Sequence, residues 1–101
     1  MRKFTLIVLF AALANPAFAE TLVANQGSDS VRLTDKPCTN PLVLVHIAIA
    51  QQEAYKAGSA VFQGQNYSAC WRVMGDVAHL LYEDGDQGVV SMGLLKPALE
   101  L

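Results

Sequence analysis

The 101-residue chain has no hydrophobic run long enough to span a bilayer and no cluster of basic residues. Its longest apolar run, residues 4–14, is interrupted only by Thr5. As a helix, such a run reaches only about 16 Å, against a hydrocarbon core of about 30 Å. Nucleic-acid binding needs clustered positive charge, whereas the lysines and arginines here are scattered. These absences argue against a membrane anchor, a nucleic-acid partner and, at this length, a multidomain enzyme.

The N-terminus is typical of a secretory signal peptide. Arg2 and Lys3 precede the apolar run, and Ala17-Phe18-Ala19 places small residues at the −3 and −1 positions. We therefore expect cleavage after Ala19, which leaves residues 20–101 as a single small domain. Cleavage removes two of the seven basic residues and none of the nine acidic ones, so the net charge becomes −4. We therefore expect the protein to be periplasmic or secreted.

Cysteine is scarce, with only Cys38 and Cys70 in the chain. An even number of cysteines in an exported protein favours a disulfide over two buried thiols, which remain the alternative. The bond would close a loop of about 33 residues and contribute on the order of 3.7 kcal/mol in the chain-entropy model.

The apolar periodicity predicts an α+β fold. Two short strands at 21–25 and 30–34 form an N-terminal β-hairpin, and one helix runs from about 41 to 57 with Asn40 as its N-cap and Gly58 as its C-cap. Residues 42–49 are also rich in β-branched side chains, so a buried strand is the alternative there. A three- to four-stranded antiparallel meander follows, with strands at 59–63, 67–73, 77–83 and 89–92. Residues 93–101 are expected to form a tail or one helical turn.

The strand at 67–73 alternates between two faces. Tyr67, Ala69, Trp71 and Val73 share one face, and Ser68, Cys70 and Arg72 share the other. Aromatic side chains on an accessible sheet can recognise sugars or a partner chain. The candidate partner-binding residues are therefore Trp71, Tyr67, Tyr82 and Arg72, with core packing as the alternative for the aromatic ones.

Three carboxylates lie close together in the sequence Glu83-Asp84-Gly85-Asp86-Gln87-Gly88. Oxygen ligands of this kind suit a divalent cation, so Glu83, Asp84 and Asp86 are candidate metal ligands or hydrolase carboxylates. The spacing does not match an EF-hand loop, because the position that requires glycine is occupied by Val89. The simpler interpretation is a hairpin turn in which Asp and Gly tolerate positive φ. No cofactor is indicated.

Tyr67-Ser68-Ala69-Cys70-Trp71, the acidic run 83–88 and the upstream stretch 31–38 together resemble a group of small uncharacterised exported proteins of Gram-negative bacteria, some of them prophage-associated. The resemblance covers nearly the whole exported part. Near its end the group often has a proline and an aromatic residue, where this chain has Ser91 and Leu95. The resemblance implies bacterial export and paired cysteines, and it implies no catalytic residue.

The sequence therefore predicts a small exported binding protein of the bacterial envelope with no inferred catalytic activity. Its partner would be another envelope protein, a phage component or a glycan. The alternatives are a divalent-metal-binding protein or hydrolase that uses the acidic turn, and a purely structural accessory protein.

Overall fold

The computed structural model describes residues 21–98, so the expected signal peptide lies outside the described residues. The described chain consists mainly of β-strands, and its helices are short. The strands are β1 (Leu22–Gln26), β2 (Asp29–Pro37), β3 (Lys56–Phe62), β4 (Gln65–Met74), β5 (Val77–Tyr82), β6 (Gln87–Ser91) and β7 (Lys96–Pro97). Helix α1 spans Pro41–Leu44, and 3-10 helices span Ile49–Ala54 and Met92–Leu94.

All seven strands belong to one antiparallel sheet that curves into a half-barrel. Its order is β6-β5-β4-β3-β2-β1-β7, so β1 to β6 form a meander and β7 returns to pair with β1. Tight turns join the meander strands. Between β3 and β4, for example, Gln63 and Gly64 have φ values of 53° and 79°, as the two-residue turns that match strand twist require.

The two faces of the sheet carry separate core clusters. On the inner face, Leu33, Trp71 and Leu80 pack with Ala69 and Ala78. On the outer face, the segment that joins β2 to β3 packs Cys38, Val43, Ile47 and Tyr55 against Cys70 of β4 and Leu81 of β5. Successive residues of β4 therefore supply opposite cores, as the alternation of a strand requires.

The α+β expectation of one hairpin, one long helix and a separate meander is wrong. Instead of a helix over 41–57, helix α1 has four residues, a turn follows, and a six-residue 3-10 helix leads into β3. Asn40 does cap α1, because its Oδ1 accepts a hydrogen bond from the Leu42 N–H at 2.9 Å. The side-chain amide of Gln52 then donates to the carbonyls of Leu44 and Ile47, both at 3.1 Å. A side chain thus satisfies carbonyls that a continuing helix would have bonded.

The segment does not bury the apolar face that a continuous helix would have. Leu42, Val45 and Ile49 would share one face of such a helix, but they are 59%, 75% and 86% exposed. Val43 and Ile47 are buried instead, at 0% and 7% exposed. The segment covers the Cys70 face of β4. Periodicity misleads here because β-branched residues favour extended backbone and the cross-link to β4 fixes the path of the segment.

Gly58 is not a helix cap but an interior residue of β3. A Cβ atom there would lie 3.2 Å from both Leu33 Cδ2 and Trp71 Cδ1, and 3.3 Å from the Arg32 carbonyl oxygen. Glycine is therefore required for close packing against the inner core rather than for chain reversal.

The expected C-terminal tail is in part a further strand. After the 3-10 helix at Met92–Leu94, Lys96 pairs with Val23 and Pro97 with Leu22. Met92 and Leu95 pack against the inner core. The chain between β6 and β7 therefore closes one end of the half-barrel, which leaves the end with the Gly27, Gly64 and Gly85 turns open.

The Cys38–Cys70 disulfide and the antiparallel pairing are confirmed. The two Cα atoms are 5.6 Å apart, and both cysteines belong to the outer core. The bond fastens the start of the β2–β3 connection to the centre of β4. Disulfides persist in oxidising compartments, so this one fits a protein that functions outside the cytoplasm.

Candidate functional site

The inner face of the half-barrel forms a groove of about 1240 Å³. Its floor includes Val31, Ala60 and Val90, and its sides come from the two ends of the meander, β1 and β6. Residues 91–96 lie at its closed end, while the turns after β3 and β5 surround its open end. Apolar concave surfaces of this kind are the usual places for ligands and partners to bind.

Three aromatic side chains lie at the open end of this groove, which we call the mouth. Tyr67 and Tyr82 are on neighbouring strands, with ring centroids 6.2 Å apart and ring planes at 75°, an edge-to-face contact. Phe62 at the end of β3 is 51% exposed, and Tyr67 is 43% exposed. Strand alternation places all three on the inner face, because the register aligns Tyr67 with Ala60 and Tyr82 with Ala69.

The mouth also carries negative charge. Asp84 and Asp86 line it from the β5–β6 turn, and Asp29 lines it from the start of β2. Burial raises the pKa of the Tyr82 phenol above its ordinary value of 10.0, and the nearby negative charge of Asp86 raises it further. Tyr82 therefore stays neutral and keeps its hydroxyl proton at physiological pH. The mouth offers aromatic faces, a phenol donor and carboxylate acceptors.

The acidic turn uses most of its polar groups to hold its own shape. Asp84 Oδ1 accepts a hydrogen bond from the Asp86 N–H at 2.9 Å, and Asp86 Oδ1 accepts from the Gln87 N–H at 2.9 Å. Glu83 Oε2 accepts from the Asn40 side-chain amide at 2.8 Å. The Asp84–Asp86 contact is that of an Asx turn, and the Glu83–Asn40 contact fastens the turn to the β2–β3 connection.

The β2–β3 connection supports this turn from the outer side. His46 Nε2 is 3.0 Å from the Glu83 carbonyl oxygen, and a Cβ atom on Gly85 would lie 3.4 Å from His46 Cε1. Gly85 itself has a φ of 86°, which favours glycine. These structural roles of Asn40 and His46 could not be predicted from the sequence, because both contacts join residues about forty positions apart and leave no periodic signal.

The proposed metal ligands Glu83, Asp84 and Asp86 are close in space as well as in sequence, since they share one turn. Within residues 21–98, no three His, Cys, Asp or Glu side chains form a group that could hold a metal ion. Calcium binding by the turn stays a prediction, which calorimetric titration of the oxidised protein with calcium would test.

The four candidate partner-binding residues do not lie together. Tyr67 and Tyr82 meet at the mouth, whereas Trp71 is 7% exposed and its indole N–H donates to the Thr34 carbonyl at 2.8 Å. Arg72 is on the outer face, where its guanidinium carbon lies 5.3 Å from the centre of the Tyr55 ring, a cation–π contact. Of the four, only the two tyrosines face the groove.

Within residues 21–98, no helix is long and apolar enough to cross a membrane. Comparisons of the chain with family profiles, with curated proteins and with solved structures gave no match.

Proposed function

We propose that this chain is a small exported protein of the bacterial envelope that binds a partner in the groove of its half-barrel. The observation that carries the proposal is the pair of exposed Tyr67 and half-buried Tyr82 at the mouth of an apolar groove. Tyrosine is among the residue types that contribute most to binding energy when they become buried in an interface. An envelope protein, a phage component or a glycan could supply such a contact.

The signal-like N-terminus and the buried disulfide support a location in the bacterial envelope. A disulfide in a domain of this size is typical of proteins that fold in the periplasm or outside the cell. The acidic net charge and the carboxylates at the mouth favour a partner with a basic or hydroxyl-rich surface.

The test uses the protein after a bacterium has expressed and exported it, with its signal peptide removed and its disulfide formed. We expect screening against random displayed peptides and an array of bacterial glycans to give binders. Tyr67→Ala should weaken them at least about thirtyfold, because loss of an interface tyrosine commonly costs 2 kcal/mol or more. Val45→Ala is the matched control, since Val45 is 75% exposed and outside the groove. Binders that respond to Val45→Ala but not to Tyr67→Ala, or no binders at all, would refute the proposal.

A further inference from the structure

The groove lies between two strand edges. Residues from both faces of β1, Val23 and Ala24, line it, and so do residues from both faces of β6, Val89 and Val90. A surface that contacts both faces of a strand lies along the strand's edge, not only over one side of the sheet. The sheet order agrees, because β6 is its first strand and β1 is followed only by the two-residue β7.

The β6 edge presents backbone groups that another strand can bond. At its two ends, the Tyr82 N–H donates to the Asp86 carbonyl at 2.8 Å and the Met92 N–H donates to the Asp76 carbonyl at 2.9 Å. Positions 86 and 92 therefore bond towards β5. Since antiparallel bonding alternates from residue to residue, Gln87, Val89 and Ser91 direct their backbone groups away from β5. The Gln87 N–H already donates to Asp86 Oδ1, so Val89 and Ser91 are the positions that carry the argument for an added strand.

Strand β7 covers part of the β1 edge and so limits the gap between β1 and β6. β7 pairs with β1 only at Leu22 and Val23, near the closed end of the half-barrel. Asn25 lies beyond this pairing, towards the mouth. In the lower part of the gap between β1 and β6, near the closed end, β7 already pairs with β1. In the upper part, near the mouth, no strand of residues 21–98 pairs with the same edge of β1.

The two edges of the sheet, β7 and β6, also differ in how well they are protected against pairing with another strand. Natural sheets block edge pairing with lysine, proline or very short strands, and β7 consists of Lys96 and Pro97 alone. Strand β6, with the sequence Gln-Gly-Val-Val-Ser, has no charge and no proline. Its Val89 side chain is 64% exposed. An unblocked edge beside an apolar groove is suited to strand addition.

Resting on the proposed function, we infer that the partner is a protein that inserts an extended segment between β6 and the upper part of β1. Backbone hydrogen bonds to β6 would supply affinity, and alternate apolar side chains of the segment would enter the groove. The carboxylates of Asp84 and Asp86 complement a lysine or arginine of the segment near the mouth. Lys96, which lines the groove in the strand at the closed end, gives the site charges of opposite sign at its two ends.

The experiment takes linear peptides selected from a random displayed library and measures their affinities by calorimetry. Val89→Pro removes one outward N–H at an edge position, which the fold tolerates. We expect it to weaken binding about tenfold, the fold-change for one backbone hydrogen bond of about 1.4 kcal/mol. Val89→Ala, which keeps the N–H, is the matched control because it measures what the Val89 side chain contributes, and Val89→Pro should bind about tenfold more weakly than Val89→Ala. Methylation of alternate peptide nitrogens should reproduce the loss with unmodified protein, which removes any concern that Val89→Pro disturbs folding.

The outcomes separate the two proposals. Peptides that are insensitive to Val89→Pro and to methylation, but lost on Tyr67→Ala, leave the groove as a binding site and overturn strand addition. Failure to select any peptide, with glycans binding instead, overturns strand addition alone. Absence of both kinds of binder overturns both proposals. Dimerisation that protects the Val89 amide from hydrogen exchange would replace the partner segment with a second copy of this chain.

Discussion

Reduction of the Cys38–Cys70 disulfide should remove a large part of the stability of this domain. The cysteines are 32 residues apart, and release of a loop of that length costs about 3.7 kcal/mol in the chain-entropy model. A domain of this size has a total stability of about 4 to 12 kcal/mol at typical values per residue. The melting temperature should therefore fall by roughly 15 to 30 °C.

The structure explains why reduction isolates the cross-link itself. Cys70 is fully buried and Cys38 is 8% exposed, so both sulfur atoms remain in the outer core after reduction. Packing with Val43 and Leu81 is then largely retained. The double variant Cys38→Ala/Cys70→Ala also removes the sulfur atoms and should lose more, because it leaves a cavity among buried side chains.

Urea unfolding of the oxidised and reduced chains measures this difference. Trp71 is the only tryptophan and is buried in the inner core, so its fluorescence reports opening of the sheet. Hydrogen exchange should also show the 38–55 segment losing protection first, since the Cys38 N–H donates to the Tyr55 carbonyl beside the bond. A reduced chain within about 1 kcal/mol of the oxidised one would refute the reasoning, because the cross-link would then contribute far less than loop closure predicts.

Two further variants test the inner core and the mouth. Gly58→Ala should destabilise the fold by about 1 to 3 kcal/mol through overpacking against Trp71, as judged by urea unfolding. The matched control Gly93→Ala should stay within about 0.5 kcal/mol, since its Cβ would meet only ordinary contacts; equal effects would contradict the packing argument. For Tyr82, the raised pKa means that the unfolded chain releases the phenol proton first, so stability should fall as pH rises above about 10. Tyr82→Phe should flatten this slope and Asp86→Asn should reduce it in part, because burial is the larger cause; an unchanged slope in Tyr82→Phe would show that another group is responsible.

Part of the candidate site follows from local sequence patterns. The alternation in 67–73 correctly separates Tyr67 and Trp71 from Cys70 and Arg72, because a strand directs successive side chains to opposite faces whatever it pairs with. Local pattern does not distinguish a buried aromatic from an exposed one. Trp71 becomes a core residue and Tyr67 a mouth residue only because the half-barrel is closed at one end and open at the other.

The sequence by itself determined the disulfide, the strand periodicity and the cap at Asn40, since each depends on composition or on neighbours within a few positions. The tertiary structure alone decided that 41–57 is not one helix, that Gly58 lies inside a strand, and that β1 and β6 form the two sides of one groove. These features depend on the path of the connection fastened to Cys70 and on the curvature of the whole sheet. Both arise from contacts between distant segments, which no local pattern records.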